Sequence, residues 1–199
     1  MPEAVQESLF DPVERRDLAG GAWVEVRSGW VGSGADALFE ELGTGVRWRS
    51  ERRQMYDRVV DVPRLVSFVD LTAQPPPHPE VARLRRRLND IYAGELGEPF
   101  TTAGFCLYRD GEDSVAWHGD TVGRGETQDT MVAIVSLGAT RVLAMRPRGG
   151  GTSLRLPLRH GDLLVMGGSC QRTWEHAVPK TTAPTGPRMS IQFRPCNVR

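Results

Sequence analysis

Beyond Phe100 the chain loses helical periodicity, and short strand-like runs recur at intervals that leave no room for helices between them. The runs fall at 104–108, 115–118, 130–137, 141–145, 153–157, 162–166, 173–176 and 188–193. Turn signals punctuate them: Gly138, Gly149-Gly150-Gly151, His160-Gly161-Asp162 and Gly167-Gly168. Evenly broken short strands of this kind predict a barrel or jelly roll. The 22 glycines and 14 prolines fit that turn-rich, mainly β reading.

Upstream the pattern is mixed. Trp23 to Val26 alternates as a short strand. Ala35, Leu38, Phe39 and Leu42 have the spacing of an amphipathic helix, with Ser33 as its expected N-cap and Gly43 and Gly45 as its stop. A stiff proline loop, 74–79, leads into a second helix expected from Glu80 to Ala93. Val81, Leu84, Leu88, Ile91 and Tyr92 form its apolar face, and Arg83, Arg85, Arg86 and Arg87 read as a solvated face. Residues 1–21 read as a weakly tied arm.

Between the helices lies a basic stretch, 46–58, in which Arg47, Arg49, Arg52, Arg53 and Arg58 interleave with Trp48 and Tyr56. Two readings stand: a surface where arginine meets phosphate and aromatics stack bases, or an edge strand kept soluble by charge. The balance of 25 basic and 25 acidic residues excludes a bulk electrostatic coat on nucleic acid and leaves room for a local basic face. The 199 residues suit one domain, expected to be monomeric. No apolar run approaches the ~18 residues of a membrane span, and the N-terminus has no signal-like apolar core. The three cysteines, Cys106, Cys170 and Cys196, form no CxxC pair; a reducing, cytoplasmic setting is expected.

The chemistry starts at His118-Gly119-Asp120. On a strand these two side chains share a face, and one further ligand would complete the 2-His-1-carboxylate set that holds iron with open positions. Of the 4 histidines, His78 sits in the proline loop and His160 in a turn suited to hydrogen bonding. His176 remains, either as the third ligand or as a satisfied core histidine. Arg188 and Arg194 then share a face of the last strand. Inward arginines call for an anion, and a dicarboxylate cosubstrate matches their donor forks.

These pieces together resemble the AlkB-like 2-oxoglutarate- and Fe(II)-dependent dioxygenases, in the branch that repairs alkylated nucleic acid. The likeness runs over roughly residues 23–195. It rests on Leu107-Tyr108-Arg109-Asp110-Gly111 before Trp117-His118-Gly119-Asp120, on 136–141, on 158–166, on Trp174 to Lys180, and on Pro187-Arg188 through Phe193-Arg194. Val62-Pro63-Arg64-Leu65 resembles the Pro-Arg segment of the family's nucleotide-recognition lid.

The resemblance implies a double-stranded β-helix core over 100–195, behind an N-terminal extension and lid over 22–99 with two supporting helices. It implies His118, Asp120 and His176 as iron ligands. Tyr108 and Arg188 would hold the distal carboxylate of 2-oxoglutarate and Arg194 the carboxylate near the metal, with dioxygen at the remaining position. The implied reaction turns 2-oxoglutarate into succinate and carbon dioxide while an N-alkyl carbon of DNA or RNA is hydroxylated and lost as aldehyde. Tyr56, Arg64, Phe68, His78, Trp117 and Thr121 are the candidate substrate residues. The chain departs from the family pattern in three respects: Cys106 stands where asparagine is usual, Ser190 likewise, and Thr121 and Val122 follow Asp120 without the acidic residue common in repair members. Alternatives are the same oxygenase chemistry on a tRNA, protein or small-molecule substrate, and a non-catalytic binder of damaged nucleic acid.

Overall fold

From Thr102 onward the chain crosses repeatedly between two antiparallel sheets, which is how a jelly roll is wound. The computed structural model describes residues 13–55 and 58–198, with the backbone alone at 52–55 and 58–61. Strands β1 (Val13–Asp17), β2 (Ala22–Arg27), β3 (Arg49–Met55) and β4 (Arg58–Asp70) precede the jelly roll. Its own strands are β5 (Thr102–Tyr108), β6 (Val115–His118), β7 (Val132–Gly138) and β8 (Arg141–Pro147). Then come β9 (Leu154–Leu158), β10 (Leu163–Gly168), β11 (Trp174–Val178) and β12 (Arg188–Arg194). The large sheet runs β1-β2-β10-β7-β12-β5-β4-β3 and the small one β6-β11-β8-β9. All eight expected strands of the core are present.

Alternation divides the large sheet into two working faces. On β5 and β12, Phe105, Ile191 and Phe193 point outward to Leu38, Leu42, Leu84 and Leu88 of the helices. Their neighbours point inward, where Ile134, Leu164 and Met166 meet Leu143, Met145 and Leu158 of the small sheet. Each large apolar side chain buried this way contributes about 1.5–3 kcal/mol.

The helices are α1 (Ala35–Gly45), α2 (Pro79–Ile91) and the short α3 (Cys170–Thr173). Ser33 does not cap α1: it lies in a 3-10 turn, Gly32–Gly34, and Gly34 takes the cap position without a side-chain bond. Gly43 lies inside the helix, which ends at Gly45. α2 stops short of Ala93, with Ile91 38% exposed and Tyr92 turned into the core. His78 caps it by accepting the Glu80 N–H at 3.1 Å, while its other nitrogen meets Glu41 at 2.5 Å. The arginine face of α2 is only partly solvated, because Arg87 donates to Trp30 O at 2.8 Å and lies over the Trp30 ring.

The arm is better tied than expected. Residues 13–17 form β1, paired along its length with β2, and Arg15 grips Glu95 by two hydrogen bonds. Residues 1–12 lie outside the described residues. Among the described residues, no helix is long and apolar enough to cross a membrane.

Candidate active site

β6 and β11 are neighbours in the small sheet, in a register that sets His118 directly opposite His176. Their rings lie 4.2 Å apart, and Asp120, just past the end of β6, completes a cluster whose ligating atoms all fall within 4.8 Å of one another. Asp120 and His176 are buried, whereas His118 is half-buried. His118 Nδ1 lies 2.8 Å from Ala116 O, a distance at which the ring nitrogen donates its proton and leaves Nε2 with a free lone pair.

The electrostatics suit a cation. Burial would raise the Asp120 carboxyl, but Arg194 and the two histidines outweigh it and hold the group at about 2. For His176, burial and the nearby His118 outweigh Asp120 and bring the ring down to about 3, so it is neutral at pH 7. Two imidazoles and one carboxylate are the donor set that iron(II) takes. Gly119 is the required residue between the ligands: a Cβ there would come within 2.5 Å of Gln171 O. Gln171 also accepts the Asp120 N–H at 2.9 Å through its side chain, which fixes where the carboxylate begins.

The wall facing this cluster comes from β5 and β12. Register pairs Tyr108 with Arg188, Cys106 with Ser190, Gly104 with Gln192 and Thr102 with Arg194. Arg188 is 1% exposed, donates from Nε to Ser136 Oγ at 3.1 Å, and lies 5.1 Å over the Tyr108 ring. Among the described residues no carboxylate forms an ion pair with it. A buried guanidinium left without a carboxylate costs several kcal/mol, and a ligand carboxylate would offset that cost. Burial pushes the Tyr108 phenol up to about 12, so it retains its proton and can donate. These residues fit the distal end of 2-oxoglutarate.

The other arginine behaves differently from the sequence expectation. Arg194 Nε bonds to Asp120 Oδ2 at 3.0 Å, so the residue assigned to the cosubstrate is also a partner of the metal-site carboxylate. Gly104 leaves space for it: a Cβ there would lie 3.0 Å from both Arg194 Nη1 and Gln192 Oε1. Cys106 is drawn into the same row, with Sγ 3.8 Å from Gln192 Oε1, and Gln192 Nε2 donates to Ser190 Oγ at 2.5 Å.

The candidate substrate residues scatter. Arg64 lines the cavity between the sheets, beside Cys106 and Tyr108. Phe68, 48% exposed, pairs with Gly104 and therefore lies on the inward face of β4. Thr121 is exposed just beyond the metal cluster. Trp117 is turned to the face opposite His118, where Arg146 stacks on it at 4.2 Å. His78 is occupied as the α2 cap, as described above. Tyr56 lies outside the described residues. Trp48 is held by α1, donating to Gly43 O at 3.0 Å.

Two contributors went unread in the sequence. Gln192 shares a face with Arg188 and Arg194, so alternation alone could have found it. Gln171 sits on the four-residue helix α3, and no periodicity marks it. A larger cavity of about 430 Å³ lies elsewhere, beside Trp23. Its acids Glu95, Glu98 and Asp129 are each paired, with Arg15, Arg124 and Arg172, so they offer no free set of ligands.

Comparison with known proteins agrees with this geometry. A model described as the 2OG-Fe(II) oxygenase superfamily matches residues 41–194. Alpha-ketoglutarate-dependent dioxygenase alkB homolog 3 of Bos taurus is 32% identical over 182 residues, covering 80% of this chain and 61% of that protein. DNA oxidative demethylase ALKBH2 of Homo sapiens is 30% identical, covering 80% of this chain and 68% of that one. The chain thus spans less than two-thirds of the length of the first relative. Among solved structures, OsALKBH1 matches with a TM-score of 0.61 at 16% identity, over 92% of this chain and 100% of that one. A prolyl hydroxylase from Trichoplax adhaerens, in complex with a hypoxia inducible factor peptide, matches with a TM-score of 0.63 at 12% identity, over 87% and 83%. At those identities the two structures share the fold.

Proposed function

The chain belongs to the 2OG-Fe(II) oxygenase superfamily, in its AlkB-like branch, and from that premise we propose that it oxidatively removes N-linked alkyl groups from bases of DNA or RNA. The observation that carries the reading is the cavity in which His118 and His176, clustered with Asp120, face Tyr108, Arg188 and Arg194. Support for the substrate comes from ALKBH2, a DNA oxidative demethylase by name, and from the arginine-rich β3–β4 hairpin at the sheet edge.

When bound, iron(II) and 2-oxoglutarate supply, with dioxygen, the oxidising equivalent that hydroxylates the alkyl carbon. The chain's own residues bind and aim. His118 Nε2, the His176 ring and Asp120 would hold the metal. Arg188 gives a permanent charge and Tyr108 a retained phenolic proton, so both attract a carboxylate. Ile134, Leu143 and Val178 make the remaining wall apolar and exclude water from the reacting carbon. Arg64, which lines this cavity, and Phe68 share the inward face of β4, a strand of that hairpin.

A second substrate class, tRNA, protein or a small molecule, is favoured by one observation. Thr121 and the 63% exposed Val122 give the rim next to Asp120 no charge with which to read an alkylated base. Mass-spectrometric profiling of alkylated nucleosides, in single- and double-stranded DNA and RNA, tests the choice. Loss of an N-alkyl group in at least one context is expected. Uniform inertness alongside turnover of 2-oxoglutarate would move the assignment to the second class.

A further inference from the structure

The cavity holds one more cation than the assigned roles use. Arg64 lies on β4 one step before the pairs Leu65–Leu107 and Val66–Cys106, which sets it across from Tyr108 on the inward face. It is half-buried and lines the cavity with Cys106, Tyr108 and Arg188. Its Nη1 is anchored on Ser114 O at 3.2 Å, and its Nε is buried with no partner.

Among the described residues no carboxylate comes within ion-pair distance of Arg64; Glu51, on the neighbouring strand, acts on it only at longer range. Arg188 and Arg141 face the same Tyr108 ring at 5.1 and 5.7 Å. Arg141 is held by three bonds, to the carbonyls of Asp110, Asp113 and Pro179, and it does not line the cavity. Apart from Arg194, which sits at the metal-site end, Arg188 and Arg64 are the cations of this cavity with donors to spare. Both guanidiniums line one cavity and lose hydration there, a cost that a bound anion offsets. The neighbouring Cys106 offers only a weak S–H donor, already directed at Gln192, so the strand adds no strong donor at that position.

We propose that Arg64 is a cosubstrate-binding residue, taking the distal carboxylate of 2-oxoglutarate together with Arg188 and Tyr108. The inference rests on the oxygenase reading and gives Arg64 a task other than reading nucleic acid. Specificity follows from it: a 2-oxo acid without the distal carboxylate gains nothing from Arg64.

Titration calorimetry under anaerobic conditions, on protein loaded with manganese(II), tests this with 2-oxoglutarate and with 2-oxobutanoate as separate ligands. Arg64→Met should weaken 2-oxoglutarate by about 10- to 100-fold and 2-oxobutanoate by less than about 2-fold. Arg64→Lys should fall between wild type and Arg64→Met. Equal weakening of both acids would mark a general loss of structure and overturn the proposal. Unchanged 2-oxoglutarate affinity with weaker oligonucleotide binding would also overturn it and return Arg64 to the nucleic acid. Failure of the wild-type protein to bind 2-oxoglutarate would instead remove the oxygenase reading, and this inference with it.

Discussion

Arg194 donates from Nε to Asp120 Oδ2 at 3.0 Å, joining the last residue of β12 to the carboxylate between the two histidines. The bond joins the His118–Asp120–His176 cluster to the β5–β12 wall, so under the proposed function one guanidinium would serve both metal ligand and cosubstrate. Arg194→Met leaves Asp120 buried without its main counter-charge. Manganese(II) affinity should fall by about 10-fold or more, and 2-oxoglutarate affinity should fall with it. Titration of each ligand separately reads both losses; retention of either at the wild-type value would show that the coupling is absent.

Gln171 is a positioning residue. Its side chain accepts the Asp120 N–H at 2.9 Å while its carbonyl closes over Gly119. Gln171→Leu keeps the volume and removes the acceptor, so Asp120 should wander. Metal affinity should drop by about 10- to 100-fold, as it does when groups supporting a metal ligand are removed. Cosubstrate specificity should stay unchanged, because the β5–β12 wall is untouched.

The turn before β6 carries a pH-dependent contribution. Asp113 is buried and accepts three hydrogen bonds from Arg109, each at 2.8 Å, and this pairing holds its carboxyl below the ordinary range despite burial. A depressed folded pKa stabilises fully above the unfolded value of about 4 and is lost as pH falls through the folded value. Arg109 is largely exposed, so the contribution is about 1 kcal/mol. Asp113→Asn should melt lower than wild type at pH 7, and the gap should close below about pH 4.

Tyr92 donates to the buried Glu25 at 2.6 Å, with Arg27 as that carboxylate's second close donor at 2.7 Å. This bond ties the end of α2 to β2. Tyr92→Phe leaves the ring packing intact and removes one donor, at a cost of about 1–3 kcal/mol. Thermal melting should shift down by several degrees. A melt at the wild-type temperature would mean that water replaces the phenol.

The sequence carried the architecture well, for a physical reason. A half-buried strand alternates and a turn needs its glycine, so the eight core strands and the shared face of Arg188 and Arg194 could be read from spacing alone. Helix ends were read less well: Ser33 looked like a cap, yet the Gly32–Gly34 turn moved the start of α1 past it. His78 looked like a free aromatic but is consumed by Glu80 and Glu41. Alternation assigns a face and never a partner. The bonds Arg194–Asp120 and Gln171–Asp120 join distant segments through strand register and a short helix, so no local pattern announces them. The trio came from the family resemblance: HxD alone is a weak signal, and spacing left His176 open between ligand and core histidine; the structure gathers the three side chains into one cluster.

Under the proposed function this cavity would perform iron- and 2-oxoglutarate-dependent dealkylation. Formaldehyde release from oligonucleotides carrying N-methylated bases tests it most directly. Release is expected to require both iron(II) and 2-oxoglutarate and to be abolished in His118→Ala and Asp120→Ala. Wild-type protein that turns over 2-oxoglutarate yet releases no formaldehyde from any methylated base would contradict it.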